Sequence, residues 1–202
     1  MAAEADTSTK RRVVLLGPPG AGKGTQAQFL AARLGVPAIS TGDMLREAVA
    51  EGSVLGGRVQ GIMNSGGLVD DATMADVVRE RLAKPDARDG FLLDGYPRTL
   101  PQAETLTGIL RDAGRDLDAV LLVEVPEDEL VRRMLLRKRP DDTEEVIRER
   151  LRVYREKTEP LIGYYEQRGL LRRIDGNRPI EEVTPQMLAA LGLHGDGAQD
   201  AR

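Results

Sequence analysis

The chain contains no cysteine. Disulfides and thiolate zinc or iron–sulfur centres are therefore excluded, and the composition fits a reducing compartment. Tryptophan is absent and aromatics are only 3% of residues, so a core has to be built from Leu, Val, Ile, Ala and Met. The only histidine is His194, close to the C-terminal end. A Ser–His or Cys–His nucleophile in the core is thus ruled out. No apolar run approaches the ~20 residues of a membrane helix, and residues 1–12 lack the apolar stretch of a signal peptide. The expectation is a cytoplasmic protein without a membrane partner. The net charge of −4 does not favour a broad nucleic-acid surface.

What is present describes a globular chain: 202 residues, 41% hydrophobic and 31% charged. That length suits one domain with a small insertion. Residues 11–193 are expected to form it, with polar, aperiodic tails at 1–10 and 194–202. Short apolar runs at residues 13–16, 37–40, 91–94, 120–125 and 170–174 read as strands. The first, third and fourth are nearly continuous in apolar residues, as strands covered on both faces are. Between them, helical spacing predicts helices over 25–34, 43–51, 71–83, 127–137, 143–159 and 180–191. For 143–159, Asp142 is the expected N-cap, with Glu145 completing a capping box. Strand–helix alternation predicts a parallel α/β sheet with right-handed crossovers. A helical insertion at about 44–83 interrupts the rhythm, as does a charged loop at 137–142.

The segment GPPGAGKGT at residues 17–25 follows the first strand and opens the first helix. Glycines there let successive backbone N–H groups face one anion, the helix N-terminus adds partial positive charge, and Lys23 supplies a mobile full charge. This is the context of a P-loop. Its bland alternative is a glycine-rich turn with a chance lysine. Gly24 stands where a magnesium-ligating Ser or Thr usually follows the lysine, and Thr25 comes one place later. Magnesium is then expected to be held through phosphate oxygens and water, with no direct protein ligand. Asp94, ending an apolar strand, can orient one of those waters.

Five segments then occur in one order: GPPGAGKGTQ (17–26), STGDMLR (40–46), GGLVDD (66–71), FLLDGYPRT (91–99) and RPDDTEEVIRERL (139–151), followed by IDG (174–176). Together they resemble the adenylate kinase family in its short-lid form. The resemblance implies a P-loop, doubly wound, parallel five-stranded sheet. It also implies a helical insertion at 40–70 that binds a nucleoside monophosphate, and a short lid loop at 134–144. The implied reaction is reversible magnesium-dependent transfer, ATP + AMP = 2 ADP. ATP and AMP are the implied partners, Mg²⁺ accompanies ATP, no structural zinc is expected, and the chain is expected to be a monomer.

Carried over position by position, the resemblance assigns Gly20, Ala21, Gly22, Lys23, Gly24, Thr25, Arg133, Arg137 and Arg178 to ATP. It assigns Thr41, Arg46, Gly67, Val69, Gly95, Arg98, Gln102, Arg139 and Arg150 to AMP. The catalytic set is Lys23, Arg98, Arg133, Arg137, Arg139 and Arg150. Arginine suits these places because its planar fork pairs bidentately with phosphate, and the Gln102 amide offers both donor and acceptor to a base edge. Tyr96–Pro97 resembles the family's cis-proline turn. Arg132, Lys138, Arg148 and Arg152 read as surface charge, and Asp141 and Asp142 as lid geometry and capping. Two positions depart from the family pattern, Leu136 and Pro140, and both fall at the lid. The alternatives are a UMP/CMP kinase of the same fold, a regulator that binds nucleotide without transfer, and a P-loop ATPase acting on a macromolecule. Thr99 after Arg98 favours AMP over the pyrimidines, an intact Lys23 with its arginines disfavours the regulator, and Gly24 disfavours the ATPase.

Overall fold

The structure, a computed structural model, describes residues 11–137, 139 and 142–193. In chain order the elements are β1 (Arg12–Leu16), α1 (Lys23–Leu34), β2 (Ala38–Ser40), α2 (Thr41–Ala50), α3 (Val54–Asn64) and α4 (Asp71–Leu82). There follow β3 (Phe91–Asp94), α5 (Leu100–Asp112), β4 (Ala119–Glu124), α6 (Glu127–Arg137), α7 (Glu144–Val153), α8 (Pro160–Glu166), β5 (Leu171–Asp175) and α9 (Ile180–Ala190). The five strands form one parallel sheet in the order β2-β3-β1-β4-β5.

Alternation along the strands explains the apolar runs. Val14, Leu16, Leu93, Val120 and Leu122 face one core, together with side chains of α2 to α5 and α8. Val13, Leu15, Leu92, Leu121 and Val123 face the other, against α1, α6, α7 and α9. Both faces are covered, so successive residues are all apolar. Helices on both faces of a parallel sheet make the architecture doubly wound, and all five expected strands are present.

The reading of 143–159 needs two corrections. The expected single helix over 143–159 is broken. α7 ends at Val153, Tyr154–Thr158 forms a π-helical turn, and α8 begins at Pro160. Pro160 cannot supply an interior N–H, and the wider turn absorbs the mismatch. Asp142 is not the N-cap: Thr143 is, its hydroxyl accepting from the Val146 N–H at 3.3 Å. The Asp142 carboxylate is taken instead by two guanidinium groups, which bind it more strongly than an amide does.

Two helices lie beyond the periodicity reading. The glycine-rich α3 packs so closely on α2 that a Cβ on Gly56 would come within 2.1 Å of the Ala48 carbonyl oxygen. Its glycines hide it from propensity arguments and permit its packing. α5 is capped by Thr99 and carries Pro101 in its first turn.

β1 has β3 on one side and β4 on the other, while β2 and β5 lie at the edges. In a sheet wound both ways from its centre, ligands sit at the carboxyl ends of the strands where the winding reverses. Here those ends carry Gly17, Ser40, Asp94 and Gly95.

Candidate active site

The loop between β1 and α1 is shaped by its backbone. Gly17 has φ 143°, and a Cβ there would lie 2.5 Å from the Val123 carbonyl oxygen. No side chain fits, so the loop presses directly onto the end of β4. Lys23, in the first turn of α1, folds back over the loop. Its Nζ donates to the carbonyls of Gly17 at 2.8 Å and Pro18 at 2.9 Å. Burial pushes its pKa below the usual lysine value; Asp94 opposes that shift, while Arg98 and Arg137 add to it. A lysine so placed gains by meeting anionic phosphate.

Arg98 is fixed at three points by neutral partners. Its backbone N–H donates to Gln102 Oε1 at 2.7 Å, its carbonyl accepts from Thr158 Oγ1 at 2.9 Å, and its Nε donates to the Gly95 carbonyl at 2.8 Å. The preceding Tyr96–Pro97 bond is cis. Desolvation by the cleft walls lowers the Arg98 pKa, Asp94 opposing and Arg150 and Arg46 reinforcing. Thr41, buried at the start of α2, donates to the Asp94 carbonyl at 3.4 Å. Arg46, on the same helix, pairs with Asp43.

Arg137, Arg139 and Arg150 converge on Asp142, whose side chain is 1% exposed. Arg137 grips it with two bonds of 2.7 and 2.9 Å, and Arg150 reaches it at 3.1 Å. The Arg139 backbone N–H adds a fourth at 3.1 Å. Burial lowers the pKa of Arg139, and neighbouring Arg46 and Arg137 lower it further. Arg133 pairs with Glu129 at 2.6 Å and donates to the Gly176 carbonyl at 3.1 Å, tying α6 to the loop after β5. Hydrogen bonds from Arg132 and Arg133 hold the Glu129 pKa at about 2. Arg178 pairs with Asp175 and Glu182.

Lys23, Thr41, Gln102 and the arginines just described line one cleft of about 1060 Å³. Every residue assigned from the sequence is on its wall: Gly20, Ala21, Gly22, Lys23, Gly24 and Thr25 of the loop; Thr41, Arg46, Gly67, Val69, Asp94, Gly95, Arg98 and Gln102; and Arg133, Arg137, Arg139, Arg150 and Arg178. Of the basic residues read as surface, Arg148 and Arg152 are exposed and paired with glutamates. Arg132 is exposed too, but it also lines the cleft rim. Leu136 is 62% exposed at the end of α6. Lys138, Pro140 and Asp141 lie outside the described residues.

Two residues that hold this wall were not singled out from sequence. Thr158 has no local signal, since it reaches Arg98 only because the π-helical turn carries it there. Asp71 accepts from both Gln102 Nε2 and Thr99 Oγ1; it ends the GGLVDD segment, which gave the one available hint.

The magnesium expected with ATP is tested by the donor set. Magnesium keeps waters and takes one or two carboxylates plus substrate phosphates. Asp94 is placed for that, with Oδ2 3.8 Å from where a Cβ on Gly24 would stand, next to Lys23. The residues present therefore fit the ion. Among the described residues no group of three or more His, Cys, Asp or Glu forms a metal cluster.

Comparison with known proteins accords with this arrangement. The family model described as adenylate kinase matches residues 15–170. The adenylate kinase of Thermobifida fusca is 55% identical over 184 residues, 89% of this chain and 97% of its own. That of Thermus thermophilus is 54% identical over 185 residues, covering 90% and 97%. That of Nocardia farcinica is 54% identical over 181 residues, covering 90% and 99%. With a phosphate loop, an arginine wall and this degree of similarity along nearly its whole described length, the chain belongs to the adenylate kinase family.

Proposed function

We propose that this cleft carries out the reversible transfer ATP + AMP = 2 ADP, as a phosphotransferase of the nucleoside monophosphate kinase class. The observation that carries the reading is the meeting of Lys23 with Arg98, Arg137, Arg139 and Arg150 in one cleft where, among the described residues, no histidine or cysteine is found. Such a set lacks a general base of the usual kind, and this reaction needs none. The second pKa of a phosphate monoester is about 6, so AMP is already largely dianionic at neutral pH. What remains is to neutralise charge around the moving phosphoryl and to hold donor and acceptor in line.

In this reading the loop amides and Lys23 take the β- and γ-phosphates of ATP. Arg46 and Arg98 take the phosphate of AMP. Arg137, Arg139 and Arg150 close over the transferring group, and Arg133 and Arg178 flank the ATP base. Asp94 would hold a water of the magnesium ion, which would supply charge neutralisation to the ATP phosphates. Residues 40–70 act as the AMP-binding insertion and 134–144 as the lid. Closing both excludes water, the competing nucleophile, until both nucleotides are present. Lid movement then limits turnover, so the chemical step in a single turnover runs faster than steady-state turnover. The protein works as a monomer in the cytoplasm.

The test is phosphorus NMR with Mg-ATP alone and with AMP, UMP or CMP. Rapid ADP formation with AMP only, reversing from ADP to ATP and AMP, supports the reading. Turnover mainly with UMP or CMP corrects the acceptor and keeps the chemistry. ATP bound without turnover in any tube rejects it.

A further inference from the structure

Gln102 is 2% exposed and lines the cleft with Val69 and Met74. Its amide is held at both ends. Oε1 accepts from the Arg98 backbone N–H at 2.7 Å, and Nε2 donates to Asp71 Oδ1 at 2.9 Å. A peptide N–H can only donate and an ionised carboxylate can only accept. The two partners therefore dictate which end of the amide is oxygen and which is nitrogen, a choice otherwise left open for a glutamine. Asp71 is itself steadied, because Thr99 Oγ1 donates to the same Oδ1 at 3.0 Å. An amide nitrogen carries two hydrogens. One goes to Asp71, and the other is what Gln102 has left to offer a ligand in the cleft.

We propose that Asp71 sets which nucleobase the acceptor pocket takes: it fixes the Gln102 amide so that the remaining N–H demands a hydrogen-bond acceptor on the base. This deepens the reading of AMP as acceptor and rests on it. Adenine offers a lone pair at N1. Hypoxanthine and guanine carry an N–H there, which would set donor against donor and leave both unpaired in a buried place. Sites built around one hydrogen-bonding polarity reject the opposite polarity strongly, because the buried group is then left without a partner. Asp71 is a positioning residue in this scheme. It touches Gln102, and Gln102 touches the base.

The experiment uses the full chain. kcat and KM are measured for AMP, IMP and 1-deaza-AMP, the last carrying C–H in place of N1. The proteins are the wild type, Asp71→Leu, Asp71→Asn, Gln102→Leu, and Asp71→Leu combined with Gln102→Leu. Wild type is expected to prefer AMP over each analogue by about tenfold or more in kcat/KM, the scale of a buried donor left unpaired. Asp71→Leu removes the acceptor and should lower the AMP-over-IMP ratio about tenfold. The loss should sit in KM for AMP rather than in kcat, with KM for ATP unmoved. Asp71→Asn keeps an acceptor oxygen and should hold the ratio within about threefold of wild type. In the Gln102→Leu background, Asp71→Leu should change the ratio no further.

A folded Asp71→Leu with the wild-type ratio would overturn the proposal. So would a wild type indifferent to 1-deaza-AMP, or a collapse of the ratio in Asp71→Asn. If Asp71→Leu does not fold, the deaza and asparagine measurements decide. Calorimetry of AMP and IMP binding gives the same ratio without turnover, so a chain that binds but does not react fails the kinase reading and still tests Asp71.

Discussion

The phosphate loop and the arginine wall face each other across one cleft, and different forces hold them. The loop is fixed by covalent backbone geometry. Gly17 presses on Val123, and Lys23 bonds the carbonyls of its own loop, five and six residues away. The wall is assembled from distant pieces. Thr158 reaches Arg98 across 60 residues and Asp71 reaches Gln102 across 31. Within the wall there is a further contrast. Arg98 is held through its backbone by neutral partners, whereas Arg137 and Arg150 are held through their guanidinium groups by a single carboxylate. Arg98, whose Nε also rests on a neutral carbonyl, meets the substrate without giving up a bound anion. An arginine anchored by its head to a carboxylate has to exchange one anion for another when phosphate arrives.

Substitutions ordered by expected effect break this contrast at successive points. Lys23→Met should lower kcat on the order of 10³-fold or more, since it removes the full charge of the loop. Its thermal midpoint should stay level or rise, because burial already disfavours that charge; a matching loss of stability would mean the lysine is part of the scaffold. Arg98→Ala should lower kcat by roughly 10²–10³-fold, the scale of losing one preorganised donor. ATP affinity, read by calorimetry, should stay within about threefold; an equal loss of ATP and AMP binding would show that Arg98 does not belong to the acceptor side.

Asp142→Ala should cost about 1–3 kcal/mol in urea unfolding, as it removes the carboxylate that Arg137, Arg150 and the Arg139 N–H share. Its pH dependence has a definite sign. Burial raises the Asp142 pKa, but bonds from Arg137 and the Arg139 N–H outweigh it and leave the pKa below the usual value. The stabilisation is therefore whole above the unfolded value of about 3.9 and lost as pH falls through the lower folded value. Wild type and Asp142→Ala should converge in stability in that acid range; a constant gap down to pH 2 would show that the carboxylate's charge is not what matters. Thr158→Val is the mildest. It removes one neutral hydrogen bond to the Arg98 carbonyl, about 1 kcal/mol, and should reduce kcat severalfold at most. A loss as large as that of Arg98→Ala would make the π-helical turn the true support of the wall.

The sequence reads well where function is local. GPPGAGKGT between an apolar run and a helical pattern specifies the loop, because glycine freedom and the helix N-terminus act over a few residues. Apolar runs located β1, β3 and β4 most plainly, since strands covered on both faces leave no room for polar alternation, whereas the edge strand β5 carries exposed Arg172 and Arg173. It reads poorly where a residue works through space. Asp142 looks like a cap in sequence, and only the folded chain shows Arg137 and Arg150 claiming it. Thr158 looks like any hydroxyl before Pro160. α3 hides behind glycines that exist because α2 lies against it.

By itself, then, the sequence determined the chemistry available: a phosphate-binding loop, a surplus of arginines in recognisable segments, and no histidine or thiol to act as base or nucleophile in the core. Local rules of backbone and side-chain chemistry suffice for that. The tertiary structure alone decided which arginines meet, which carboxylates hold them, and which way the Gln102 amide points. Those depend on contacts between residues far apart in the chain, and such contacts form only when the winding of the sheet brings both of its halves to one edge.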